Sequence, residues 1–102
     1  MSTVTNNSEE QLAIALACQR AGDWLKAESL FEALLQAFPT SIDAQLNAGV
    51  FFLQRGKADR ALELLRQAAT AKADSPAVHA SLGTAYAQLR RFDEAAACFS
   101  QA

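Results

Sequence analysis

The side chains able to do chemistry are few in this 102-residue chain, and they are scattered. There is one histidine, His79, and there are two cysteines, Cys18 and Cys98. A metal site or a nucleophile–base pair needs partners at ligand spacing, and neither cysteine stands in a CxxC or Cys/His cluster. The cysteines read as small buried apolar side chains. His79 falls on an inner helix position, where packing is the expected role. The acids Glu9, Glu10, Asp43, Glu63, Asp93 and Glu94 are spread over solvated faces. General acid–base catalysis needs converging groups with perturbed pKa values, and this spacing gives no convergence. No GxxxxGK[ST] or GxGxxG phosphate loop is present. Trp24 and Phe92 read as inter-helix packing and not as platforms for nucleic-acid bases. The expectation is therefore no catalytic residue, no metal, no cofactor and no enzyme.

Composition narrows the classes further. The net charge is −2, which argues against a non-specific nucleic-acid binder, since that activity needs a basic face. Apolar residues make up 51% and charged residues 20%, a globular balance with enough apolar surface for a core. Residues 1–10 hold two acids and no Lys or Arg, so no export or transit signal is visible and the cytoplasm is expected. The apolar stretch 12–18 is too short to span a bilayer, so no membrane partner is expected. Two prolines and four glycines leave long uninterrupted runs of Ala, Leu, Gln, Glu and Arg, which favour helix.

A period of thirty-four residues organises these runs. Gly83 steps back to Gly49 and Ala15. Ala95 steps back to Ala61 and Ala27, and Phe99 to Leu65 and Phe31. Tyr86 steps back to Phe52 and Cys18, and Phe92 to Ala58 and Trp24. Small residues recur where helices must approach, and bulky ones recur where space must be filled. Each period reads as two helices and a tight turn, with spans 8–21, 24–38, 42–55, 58–72, 76–89 and 92–102. Gly22 and Gly56 stand where a left-handed residue ends a helix, but the third turn has Arg90 there. That turn must be built differently or carry strain. Ser8 with Gln11 fits a capping box, and Ser75 before Pro76 fits an N-cap followed by proline at the first helical position. Residues 1–7 read as a disordered polar tail. The domain runs over 8–102, with repeats 8–41, 42–75 and 76–102.

In this register the chain resembles the tetratricopeptide repeat family, over about 95 residues. The third repeat carries the pattern best, in Leu82, Gly83, Tyr86, Ala95, Phe99 and Ala102, and Pro39 holds the closing-proline place of the first. The departures are Ala73 in place of the second proline, and Gln11, Gln45 and His79 in the tryptophan place. The resemblance implies an all-α fold, an α-solenoid of three helix–turn–helix units. Its six antiparallel helices would stack in a right-handed superhelix.

The resemblance also implies a function, the holding of a peptide or amphipathic helix of another protein in a concave groove lined by the first helix of each repeat. Register assigns Glu9, Leu12, Ala13, Leu16, Gln19 and Arg20 to that groove from the first repeat. The second repeat adds Asp43, Leu46, Asn47, Val50, Leu53 and Gln54, and the third adds Ala77, Ala80, Ser81, Thr84, Ala87 and Gln88. Asn47 stands where related repeats bind peptide backbone, and its amide both donates and accepts. Ala13 and Ser81 replace it in the other repeats, so an asparagine ladder is absent. Chaperone-tail receptors of the family clamp a carboxylate with lysines, asparagines and an arginine. Leu12, Leu16, Asn47, Ala77 and Ser81 occupy those places here, and only Asn47 matches. Solenoids usually end in a polar cap. Without one, Leu82, Tyr86, Ala95 and Phe99 form an edge open to a second copy of the chain. The alternatives to the groove reading are thus a self-associating adaptor or chaperone, and a docking segment of a larger protein such as a transferase.

Overall fold

The computed structural model describes residues 8–101. Six α-helices make up the ordered elements among them: α1 (Ser8–Arg20), α2 (Trp24–Ala37), α3 (Ile42–Gln54), α4 (Ala58–Ala71), α5 (Pro76–Gln88) and α6 (Phe92–Ser100). The start of each helix agrees with the periodic reading. The first five end one residue earlier, and after α2, α4 and α5 the next residue, Phe38, Lys72 or Leu89, takes the C-cap position. The expected tail over 1–7 and the last position, Ala102, lie outside the described residues.

The chain divides into two compact units, Met1–Ala44 and Gln45–Ala102. In the first, α1 packs on α2. Ala15, Ala27, Phe31, Leu34 and Leu35 are buried there. In the second, α4 packs on α5 and α5 on α6. Its core holds Ala48, Phe51, Phe52, Ala61, Leu64, Leu65, Ala68, Val78, Leu82, Ala85 and Ala95. The rings of Phe51 and Phe52 meet edge to face with centroids 5.3 Å apart, a geometry their quadrupoles favour.

Small residues at the thirty-four-residue register do the work expected of them. A methyl group added at Gly49 would lie 2.8 Å from Leu65 Cγ and Cδ2. One added at Gly83 would lie 2.6 Å from Phe99 Cε1. Both helix pairs approach as closely as they do because these positions have no side chain.

The three intra-repeat turns are built alike. Gly22, Gly56 and Arg90 all adopt positive φ, at 82°, 76° and 63°. In each turn the next N–H reaches back across the helix end: Asp23 to the Cys18 carbonyl, Lys57 to Phe52 and Arg91 to Tyr86. The left-handed residue itself donates to Gln19, Leu53 or Ala87. This pair of bonds satisfies the last orphan carbonyls of the helix. Of the two outcomes open to the third turn, strain is the one realised, because a non-glycine residue there sets its Cβ against the following carbonyl.

Hydroxyls cap the helices that begin repeats two and three. Ser41 Oγ accepts from Ala44 N–H at 3.2 Å, and Ser75 Oγ accepts from Val78 N–H at 3.3 Å, with Pro76 following in the first turn. Polar residues in the tryptophan place make polar bonds. Buried Gln45 donates through Nε2 to Gln67 Oε1 at 3.3 Å. His79 is half-buried, and its Nε2 donates to the Ala73 carbonyl. That bond ties the loop before α5 to the helix, alongside the partial burial of the ring. Phe92 departs from the expectation of inter-helix packing: it is 60% exposed, so most of its ring faces solvent.

Candidate functional site

A concavity of about 310 Å³ lies in the second unit, lined by Val50, Leu53 and Gln54 of α3 and Ala80, Ser81, Thr84 and Gln88 of α5. Helical spacing explains the set. Val50, Leu53 and Gln54 stand at i, i+3 and i+4, and Ala80, Thr84 and Gln88 at i, i+4 and i+8, so each group shares one face of its helix. Leu53 is buried, Val50, Ala80 and Ser81 are half-buried, and Gln54, Thr84 and Gln88 are exposed. The result is an apolar floor with a polar rim.

Two rim groups have fixed hydrogen bonds. Gln88 Nε2 donates to the Leu53 carbonyl at 3.2 Å, joining the end of α5 to the end of α3. Thr84 Oγ1 donates to the Ala80 carbonyl at 3.1 Å, which spends its proton within its own helix. No lining residue carries a charge.

The perturbed titratable groups stand elsewhere, at and after the third turn. Arg91 holds Glu94 in a two-pronged pair, Nε to Oε1 at 2.7 Å and Nη2 to Oε2 at 2.6 Å. The same guanidinium lies over the Tyr86 ring, 5.0 Å from its centroid. The hydrogen bond from Arg91 holds the Glu94 carboxyl below its ordinary range, and the bond to Glu94 raises Arg91. Burial, helped by the charge on Glu94, pushes the Cys98 thiol up and keeps it protonated at neutral pH. The sequence reading missed this cluster, although an Arg and a Glu three apart at a helix start is a readable signal.

Of the residues assigned to a groove from sequence, the concavity gathers Val50, Gln54, Ser81, Thr84 and Gln88, together with Leu53 and Ala80. Leu46 and Asn47 are half-buried on α3 but do not line it, and Asp43 is exposed at the helix start. Leu12, Leu16 and Gln19 are half-buried on α1, in the other unit. Among the edge residues, Phe99 is 48% exposed and Tyr86 half-buried, whereas Leu82 is 6% exposed and belongs to the core. Leu82 is thus corrected as an edge contributor: it packs inward and offers little to a second chain. Among the described residues no three His, Cys, Asp or Glu side chains gather as metal ligands, and no helix is long and apolar enough to cross a membrane.

Six helices joined in helix–turn–helix pairs at a thirty-four-residue step, with no strand among the described residues, define a helical-repeat protein. The tetratricopeptide repeat profile matches residues 19–81 and again 52–102, and the chain belongs to that family. Solved structures of MamA proteins share the fold. MamA AMB-1 superposes with a TM-score of 0.83 at 21% identity, covering 94% of this chain and 52% of that one. MamA from Desulfovibrio magneticus RS-1 gives 0.86 at 21% identity, covering 95% and 55%. MamA MSR-1 gives 0.80 at 20% identity, covering 93% and 55%. The chain thus spans about half the length of these structures. No curated protein matches the sequence. The repeats of this family serve as scaffolds for protein–protein interaction and are generally not enzymes.

Proposed function

We propose that the chain holds a segment of another protein in the α3–α5 concavity. The observation that carries this reading is the lining itself: seven neutral residues on two first-helix faces, with an apolar floor and polar rim. Binding pockets are commonly apolar concavities with a few placed polar groups. The test is selection from a display library of random peptides, followed by binding to wild type, Thr84→Arg and Ala97→Arg. Thr84 is an exposed lining residue, whereas Ala97 is exposed on α6 away from the lining. Peptides that lose Thr84→Arg but keep Ala97→Arg support the groove. Peptides indifferent to Thr84→Arg, with helicity by circular dichroism unchanged, sink it.

A second reading, self-association, is favoured by one comparison of equivalent positions. Phe99 is half exposed, while Phe31 and Leu65 are fully buried. At the other end of the chain, Ile14 on α1 is 49% exposed, while its equivalents Ala48 and Leu82 are buried. These faces suit a head-to-tail contact between copies, of the kind that extends a solenoid. Light scattering across a hundredfold concentration range tests this. A larger species abolished by Phe99→Glu supports the contact, and a monomer throughout removes it. The reading as a docking segment of a larger protein, such as a transferase, stands or falls on the reading frame around these residues.

A further inference from the structure

We infer that the exposed stripe of α6, Phe92, Ala96 and Phe99, takes the same stripe of a second copy, the two helices crossing antiparallel about a two-fold axis at Ala96. The inference rests on the self-association reading and gives it a closed geometry in place of the head-to-tail one.

Exposure is the first argument. Phe92 is 60% exposed and Phe99 48%, and Ala96 between them is exposed as well. They stand at i, i+4 and i+7, so they form one stripe along the nine-residue helix. Two phenyl rings on one short face make an apolar patch of the kind that marks an interface. Phe99 has buried equivalents in Phe31 and Leu65, so a further repeat stacked on it would cover it. Phe92 has Ala58 and Trp24 instead, and Trp24 is itself 39% exposed. Extending the solenoid therefore accounts for Phe99 and leaves Phe92 bare. A contact along α6 itself uses both rings.

The order of the stripe is the second argument, and it names the occupant. Ring, alanine, ring reads the same in both directions. An antiparallel copy therefore sets Phe92 of each chain against Phe99 of the other, with the two Ala96 residues between. Crossed helices approach most closely where they cross and diverge on either side. Alanine permits the close approach, and the rings fill the widening gap beyond it. Paired rings also gain from edge-to-face or offset stacking. Charge agrees. Glu94 lies about 160° round the helix from Ala96, on the far side, where Arg91 holds it. Asp93 is exposed at the rim and keeps its water. Two copies of the stripe thus meet without burying a charge. The contact is isologous, so each of its interactions is made twice.

The experiment is light scattering on the 102-residue chain over a hundredfold concentration range, with circular dichroism to confirm that each variant is folded. The expected result is a monomer–dimer equilibrium that stops at two copies. Phe92→Glu and Phe99→Glu each weaken it at least tenfold, and Ile14→Glu leaves it within about twofold. Phe92→Ser serves as a second variant if glutamate disturbs the helix. Oxidative cross-linking then fixes the geometry, because a disulfide needs Cα atoms roughly 4.4–6.8 Å apart. Ala96→Cys, at the crossing, is expected to link to its own copy at least tenfold faster than Ala97→Cys, which is exposed beside the stripe. The wild-type chain shows what Cys18 and Cys98 contribute. Growth past the dimer that Ile14→Glu abolishes overturns the two-fold pair and leaves head-to-tail association standing. A dimer indifferent to Phe92→Glu, or equal linking at Ala96→Cys and Ala97→Cys, overturns the pairing of the stripes. A monomer at every concentration overturns the pair and the self-association reading together.

Discussion

The hairpins of the second and third repeats repeat one packing device in two settings. In α3–α4, Gly49 lies against Leu65. In α5–α6, Gly83 lies against Phe99. The approach is slightly closer in the third repeat, 2.6 Å against 2.8 Å for an added methyl. Distance alone would make Gly83 the less tolerant site. Exposure argues the reverse. Leu65 is fully buried and hemmed in by the core, while nearly half of Phe99 is open to solvent. The atoms that clash at Gly83 are the far edge of a ring that can swing outward, whereas those at Gly49 have nowhere to go. The same residue at the same register is a constraint in one repeat and a convenience in the other.

Alanine at the two glycines measures that difference. At Gly49, overpacking costs about 1–3 kcal/mol, and the gain in helix propensity of about 1 kcal/mol offsets part of it. Gly49→Ala is expected to lower stability by about 1–2 kcal/mol in urea unfolding. At Gly83 the ring yields, the propensity gain remains, and Gly83→Ala is expected within about 0.5 kcal/mol of wild type. Equal losses at both sites would show that Phe99 is held as firmly as Leu65, by a contact such as the proposed one with a second copy. Repeating the measurement at low and high protein concentration separates these cases, since association makes stability concentration-dependent.

Most of the fold was readable because its determinants are local and periodic. The thirty-four-residue step, the capping Ser75, Pro76 and the turn glycines mark the helices without reference to tertiary contacts. Side-chain exposure was less readable. Register places Phe99 with Phe31 and Leu65, and only the structure shows that it lacks their burial. Leu82 and Phe92 were misjudged for the same reason, since periodicity names a face but not what covers it. The polar substitutes for tryptophan, Gln45 and His79, were visible as departures, but their partners Gln67 and Ala73 lie 22 and 6 residues away and obey no repeat rule. Candidate groove residues could be enumerated from register. The hydrogen bonds made by the Thr84 and Gln88 side chains could not, because they depend on rotamers.

The turns sharpen the comparison at a smaller scale. Gly56 has φ 76° and open space where a Cβ would stand, so Gly56→Ala pays only for the backbone. A left-handed residue with a Cβ costs about 1–2 kcal/mol, less the entropy regained by removing glycine. Gly56→Ala is expected to destabilise by about 0.5–1 kcal/mol. Arg90 already bears that strain, so Arg90→Gly is expected to stabilise by about the same amount. Thermal unfolding followed by circular dichroism should move the two melting temperatures in opposite directions. Shifts of the same sign would mean that the side chain of Arg90 contributes more than its backbone costs.

The smallest effect belongs to Glu94, which follows this strained turn and has no counterpart in the second: Arg60 and Glu63 pair within α4, while Arg91 and Glu94 pair across the start of α6. The Arg91 hydrogen bond depresses the Glu94 pKa in the folded chain. A depressed carboxylate stabilises the fold above its unfolded pKa, and the contribution is lost as pH falls through the lower folded value. Arg91 stays charged throughout that window, so the carboxylate alone switches. Both side chains are exposed, which keeps the effect small and sensitive to salt. An NMR titration of the Glu94 side chain should therefore give a midpoint below the ordinary glutamate value, and Arg91→Gln should return it toward that value. If Glu94 titrates normally in the wild-type chain, the pair does not persist in solution. The third turn would then rest on its backbone bonds and on the Arg91 guanidinium over the Tyr86 ring.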